Sequence, residues 1–133
     1  MRTPALALLV AVSACSDASA RLEDARDRWR RAAIVDYSFD YRTDGFVAPV
    51  AARIMVRDGA AVGVEDLENT GFPLQLELAP TIEGLFDTVK RELEGDVDVQ
   101  VTWDPALGYP AHAYFDAGEE GDGFTVSSFR SGS

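Results

Sequence analysis

The stretch Asp96-Val97-Asp98-Val99-Gln100-Val101-Thr102-Trp103 alternates without a fault. Val97, Val99, Val101 and Trp103 fall on one side of an extended chain, and Asp98, Gln100 and Thr102 on the other. Successive side chains of a strand point to opposite faces, so this spacing predicts a strand with one dry face and one wet face. A sheet made of such strands has to be covered on one side and left open on the other.

The same grammar recurs along the chain. Tyr37, Phe39 and Tyr41 alternate with Ser38 and Asp40. Ile54 and Val56 alternate with Arg53 and Arg57, and a second apolar run follows at Ala61, Val62 and Val64. Between these two runs stands Asp58-Gly59, residues that tolerate positive φ and so specify a hairpin turn. Residues 111–116 and 124–129 read as two further strands, and a short strand is expected at 74–78. Residues 43–49, 105–110 and 117–123 carry the glycines, prolines and aspartates of turns.

Two segments have helical spacing instead. Leu22, Ala25, Trp29, Ala32 and Ala33 make an apolar stripe of about three turns, and Trp29 is the expected anchor of that helix on the domain. Ile82, Leu85, Phe86, Val89 and Leu93 make a second stripe. Thr81 is placed to cap it, Glu83 to meet its positive end, Lys90 and Arg91 its negative end, and Gly95 to stop it. Gly84 in its first turn weakens it slightly.

The order is therefore helix, two or three strands, helix, three strands. Short turns join most of the strands. This predicts an α+β fold: a two-layer domain with a largely antiparallel sheet of five to six strands and two amphipathic helices on one face. By length the chain is one domain over residues 21–133, able to form a core without disulfides or metal.

The N-terminus reads differently. Arg2 gives a positive start, and Ala5 to Val12 is unbroken apolar chain, too short for the roughly 20 residues of a membrane span. Val12-Ser13-Ala14-Cys15 follows, holding the only cysteine. This segment resembles the lipobox of bacterial lipoprotein signals, an aliphatic residue and two small ones before a cysteine. The resemblance implies a signal peptide over residues 1–14, cut before Cys15, with acyl chains such as palmitate on Cys15. More than one acyl chain gives stable anchoring, since each buried CH₂ contributes about 0.8 kcal/mol. Residues 15–20 would then be a lipidated cysteine and a short tether. The implied location is the cell envelope, either the outer membrane facing the periplasm or the outer face of the cytoplasmic membrane.

The formal net charge is −11. Nucleic acid is disfavoured as a partner, because phosphates repel so acidic a surface. Arg21, Arg26, Arg28, Arg30 and Arg31 cluster near the N-terminus, where they could meet anionic headgroups. Interleaved Glu23, Asp24 and Asp27 favour a solvated helix with internal ion pairs instead.

Several segments together resemble a known family. These are Trp29 ahead of Tyr37 to Tyr41, Val56 to Gly59 with Val62, Thr81 to Asp87, and Val101 to Pro105 with Gly108, Tyr109 and Pro110. They are similar to DUF6174, a family of secreted and lipid-anchored bacterial proteins without established activity. The resemblance implies an α+β envelope domain. Members often carry cysteines between the first two strands, where this chain has Asp44, Gly45, Phe46 and Val47.

Trp103, Asp104, Tyr109 and His112 are the candidate binding residues. Trp103 and Tyr109 flank a turn whose chemistry is set by Asp104-Pro105, Gly108 and Pro110. His112, the only histidine, is expected on the solvent face with Tyr114 and Asp116. No serine stands in a nucleophile elbow, so nucleophilic catalysis is not expected. With one histidine and the thiol engaged, neither a zinc site nor a cofactor is expected. The expected function is a binding module with an envelope protein as possible partner and the membrane held through Cys15. The alternatives are a hydrolase using Asp104, Asp87 and glutamates as acid and base, and weak calcium binding at Asp116, Glu119, Glu120 and Asp122.

Overall fold

The structure, a computed structural model, describes residues 3–45, 49–68, 73–118 and 121–132, with side chains from Asp17 onward. The side chains of the expected leader and of Cys15 lie outside the described residues, as do Glu119 and Glu120.

A long helix, α1 (Thr3–Ala32), opens the chain. Three strands follow: β1 (Tyr37–Gly45), β2 (Ala51–Arg57) and β3 (Ala60–Asp66). A second helix, α2 (Ile82–Leu93), leads into β4 (Asp98–Trp103), β5 (Pro110–Asp116) and β6 (Gly121–Ser131). The strands form one six-stranded sheet in the order β3-β2-β1-β6-β5-β4. Every pairing is antiparallel. The chain is thus two helix-plus-meander halves laid side by side in the same sense and joined along β1 and β6. The expected α+β architecture is the one observed.

Both helices lie on the same side of the sheet. Leu22, Ala25 and Trp29 of α1 join Ile82, Leu85, Phe86 and Val89 of α2 in one core. The sheet contributes Tyr37, Phe39, Ile54, Val56, Ala113, Phe115, Phe124 and Val126 to it. Cross-strand register explains this set. Phe39 opposes Ile54, Tyr37 opposes Val56, and Val101 opposes Ala113, so the apolar members of each strand share a face.

Among the described residues three register slips adjust the pattern, one of them between Met55 and Val56 of β2 against β3. The register of β1 against β6 slips between Ser38 and Asp40, and Ser128 in the facing stretch of β6 has φ 51°. The extra residue turns Phe129 to the helix side, where it stacks on Tyr37 and Tyr109. A third slip lies between Thr102 and Trp103. Trp103 there stacks on Phe86 of α2, with ring centroids 5.7 Å apart.

Local chemistry sets the helix ends. Thr81 caps α2, its hydroxyl accepting from the Gly84 N–H at 3.1 Å. The Ile82 N–H, an orphan donor of the first turn, donates to the buried Tyr37 hydroxyl at 3.0 Å. Ala33, with φ 54°, ends α1, and Arg30 and Arg31 sit in its last turn, where the helix dipole favours cations.

Five expectations need correction, one being that Gly121 to Gly123, expected in a turn, already pair with β5 as the start of β6. The segment expected as a short strand at 74–78 contains a single 3₁₀ turn, Leu76–Leu78, whose leucines are exposed. Its backbone bonds locally instead, the Leu78 N–H donating to the Gln75 carbonyl at 2.9 Å and the Ala79 N–H to the Leu76 carbonyl at 3.1 Å. The first strand runs on through Thr43, Asp44 and Gly45, where a turn was expected, because β6 pairs with it there. Residues Asp17 to Ala20, expected as a tether, continue α1. Arg26, expected in a solvated helix, is 8 % exposed.

Candidate functional site

The turn between β4 and β5 is built from its own residues. The Asp104 carboxylate accepts from the Ala106 and Leu107 N–H groups at 3.1 and 2.8 Å. The Gly108 N–H donates to the Asp104 carbonyl at 2.9 Å, and the Asp104 N–H to the Tyr109 carbonyl at 2.8 Å. This makes Asp104 a turn-former. Gly108, with φ 88°, sits directly on α1: a Cβ built there would lie 2.2 Å from the Ala25 carbonyl oxygen.

The structure brings three of the four candidate binding residues together and separates the fourth. Trp103, Asp104 and Tyr109 are gathered at this turn. Tyr109 stacks on Phe129 at 4.9 Å and meets the Trp29 ring edge-on at 6.4 Å. One side of Trp103 is occupied by Phe86. The residue also lines a small cleft of about 80 Å³, with Ala18 and Arg21 of α1 and Leu93, Val99 and Val101. Ala18 stands three residues, just under one helical turn, after Cys15.

His112 lies on the other face of the sheet. It is exposed, and its Nδ1 is 3.1 Å from the Thr125 hydroxyl. Register places Thr102, His112, Thr125 and Arg42 in one row across that open face. Asp40 and Arg53 form the neighbouring ion pair, with Arg53 Nε donating to Asp40 Oδ1 at 2.8 Å. The arginine covers Asp40, which is only 7 % exposed. At the end of β5 the Asp116 carboxylate accepts from the Gly118 N–H at 3.0 Å. Among the described residues no group of three or more His, Cys, Asp or Glu is placed to hold a metal ion.

The sequence reading missed the contact that joins the helices. Arg26 of α1 donates to Glu83 at 2.8 Å and to Asp87 at 2.9 Å, both on α2. Its guanidinium lies 5.4 Å from the Phe86 ring centre. Burial lowers the Arg26 pKa, but the two carboxylate hydrogen bonds outweigh it and leave the pKa raised. The carboxylates are half-exposed, so solvent screens the bridge and its main effect is to set the position of α1 on α2. A signal was present. Arg26 stands four residues after Leu22 and three before Trp29, inside the apolar stripe.

Three tyrosines are expected to make the fold sensitive to alkali. Burial raises the pKa of Tyr37, Tyr41 and Tyr109 above the ordinary 10.0, with the Glu83, Asp122 and Asp104 charges respectively adding to it. The folded state therefore holds the neutral phenols. That stability is complete below about pH 10 and is lost as the pH rises through the raised values. A urea-denaturation midpoint should be steady up to about pH 9.5 and fall above 10, alongside tyrosinate absorbance; a midpoint flat to about pH 11.5 would refute the assignment. Tyr37→Phe should cost about 1–3 kcal/mol at neutral pH, by stranding the Ile82 N–H, and should flatten the alkaline slope.

Among the described residues no helix is long and apolar enough to cross a membrane. The model of DUF6174, a family of unknown function, matches residues 21–131. No curated protein and no solved structure matches the chain. The match takes in both helix-plus-meander halves, from the face of α1 that holds Leu22 to the end of β6, and the chain belongs to the DUF6174 family.

Proposed function

We propose that this chain is a binding module of the cell envelope, held at a membrane by lipid on Cys15 and presenting its turns and open sheet face to an envelope protein. One observation supports this above the others. From Cys15 onward helix α1 runs unbroken to Ala32, and its later turns are built into the core through Leu22, Ala25, Arg26 and Trp29. A helix clamped in this way transmits the position of Cys15 to the sheet. Such rigidity suits display at a membrane surface; acid–base catalysis has no need of it.

The carboxylates of the hydrolase alternative are engaged elsewhere. Asp104 accepts from two turn amides, and Asp87 binds Arg26. They belong to different elements, and each already has a structural partner. These bonds favour binding over hydrolysis.

The test is crosslinking in living cells of wild type and Cys15→Ser, with membrane and soluble fractions analysed separately. Wild type is expected in the membrane fraction with an acylated N-terminal peptide and one recurrent crosslinked protein. Cys15→Ser should lose all three. A Cys15→Ser protein that fractionates like wild type would overturn the anchor, and wild type captured without a partner would overturn the protein-binding role.

A further inference from the structure

We propose that the cleft between the middle of α2 and the far end of the sheet binds a small organic cation, an ammonium or quaternary ammonium head group. The cleft holds about 130 Å³. Pockets for drug-sized ligands start at about 300 Å³, so this one suits a head group. Tyr41, Phe115 and Phe124 line it, and Thr88 of α2 adds a wall. The Phe124 ring centre is 6.1 Å from that of Tyr41 and 6.2 Å from that of Phe115. Phe115 and Phe124 belong to the core, so packing fixes their rings before any ligand arrives.

The charges at the cleft select the ligand class. Asp44 and Asp122 line it and are both exposed, but Asp44 pairs with Gly123 and by alternation turns its side chain to the open face, so only Asp122 puts a carboxylate at the cleft. Asp122 pairs with Phe115 across the strands, which puts its carboxylate on the same face as that ring. Among the described residues none of those lining it is basic. An anion would meet the Asp122 carboxylate and, among the described lining residues, no counter-charge. A neutral apolar ligand would leave that carboxylate unused. A cation meets both an aromatic lining and the Asp122 carboxylate at the mouth. The Tyr41 phenol reports the same field, since burial and then Asp122 hold its proton on. This inference goes beyond the anchored-module reading and holds whether or not Cys15 carries lipid.

The test titrates the full chain with choline up to about 50 mM, ample for a millimolar site, following the backbone amide resonances of Thr88, Gly123 and Phe124. A parallel titration uses the neutral analogue with carbon in place of the nitrogen. Choline should give saturable shifts confined to the cleft, with the neutral analogue at least about tenfold weaker. Asp122→Asn, at an exposed position, should keep the wild-type melting temperature and weaken choline about three- to tenfold. Tyr41→Phe keeps the ring and should change the affinity less than about twofold. Equal binding of the neutral analogue, an unchanged affinity in Asp122→Asn, or no saturable shift with choline would each overturn the proposal.

Discussion

Replacing Trp29 by alanine is expected to cost about 3–5 kcal/mol, the range for deleting a large aromatic from a packed core. Trp29 is 4 % exposed. Its ring meets those of Tyr37, Tyr109 and Phe129 edge-on, at 5.3, 6.4 and 5.7 Å. These three belong to β1, to the turn before β5 and to β6, so one side chain ties α1 to both halves of the sheet. Edge-on pairs contribute about 0.5–1.5 kcal/mol each beyond the area they bury. Small domains have only about 5–15 kcal/mol of stability in total, so the variant should stand near its unfolding threshold. The measurement is urea unfolding followed by far-ultraviolet circular dichroism, with Trp103→Phe as the control. Phenylalanine retains the stack on Phe86, and that variant should lose far less. A Trp29→Ala cost below about 1 kcal/mol would mean that α1 is not anchored through this ring.

Gly108→Ala should be nearly as severe for a different reason. Gly108 has φ 88°, a conformation that costs an L-residue roughly 1–2 kcal/mol. Its added Cβ would also fall 2.2 Å from the Ala25 carbonyl, with the Arg28 side chain at 3.2 Å. The obstacle is helix backbone, which cannot swing aside as a side chain can. Overpacking of this kind adds about 1–3 kcal/mol. The sum is about 3 kcal/mol, or a fall in melting temperature of roughly 10 °C. Gly59→Ala separates the two effects. Gly59 also has positive φ, at 78°, but nothing lies within 4 Å of its built Cβ. It should show the backbone cost alone. Equal losses at the two positions would show that the turn does not press on α1.

These variants also bear on function. In the anchored-module reading α1 is the connection between Cys15 and the sheet. Trp29→Ala and Gly108→Ala loosen that connection without touching the open face. Their effect on partner capture therefore distinguishes rigid display from a domain on a flexible tether.

Much of the architecture was legible because it rests on neighbours a few residues apart. The stripe of Ile82, Leu85, Phe86 and Val89 is buried as its spacing requires, and Thr81 caps it. The Asp58-Gly59 turn joins β2 to β3, and the alternation from Asp98 to Trp103 is a strand. The candidate binding residues were less legible. Trp103, Asp104 and Tyr109 stood out as an unusual turn, and packing accounts for much of what made them unusual. The aromatic cleft has no local signature, because Tyr41, Phe115, Phe124, Thr88 and Asp122 come from four separate elements.

Periodicity, caps and turn residues by themselves determined two amphipathic helices and a one-sided antiparallel sheet, since each is a property of a short window of chain. Only the tertiary structure decided that β1 pairs with β6, joining Tyr37 to Ser131, and that Arg26 reaches Glu83 and Asp87. It also decided that a slip opposite Ser128 turns Phe129 toward Trp29. These contacts depend on which distant segments meet. Their free energy is gained only when the two apolar faces close on each other, and no local pattern records that choice.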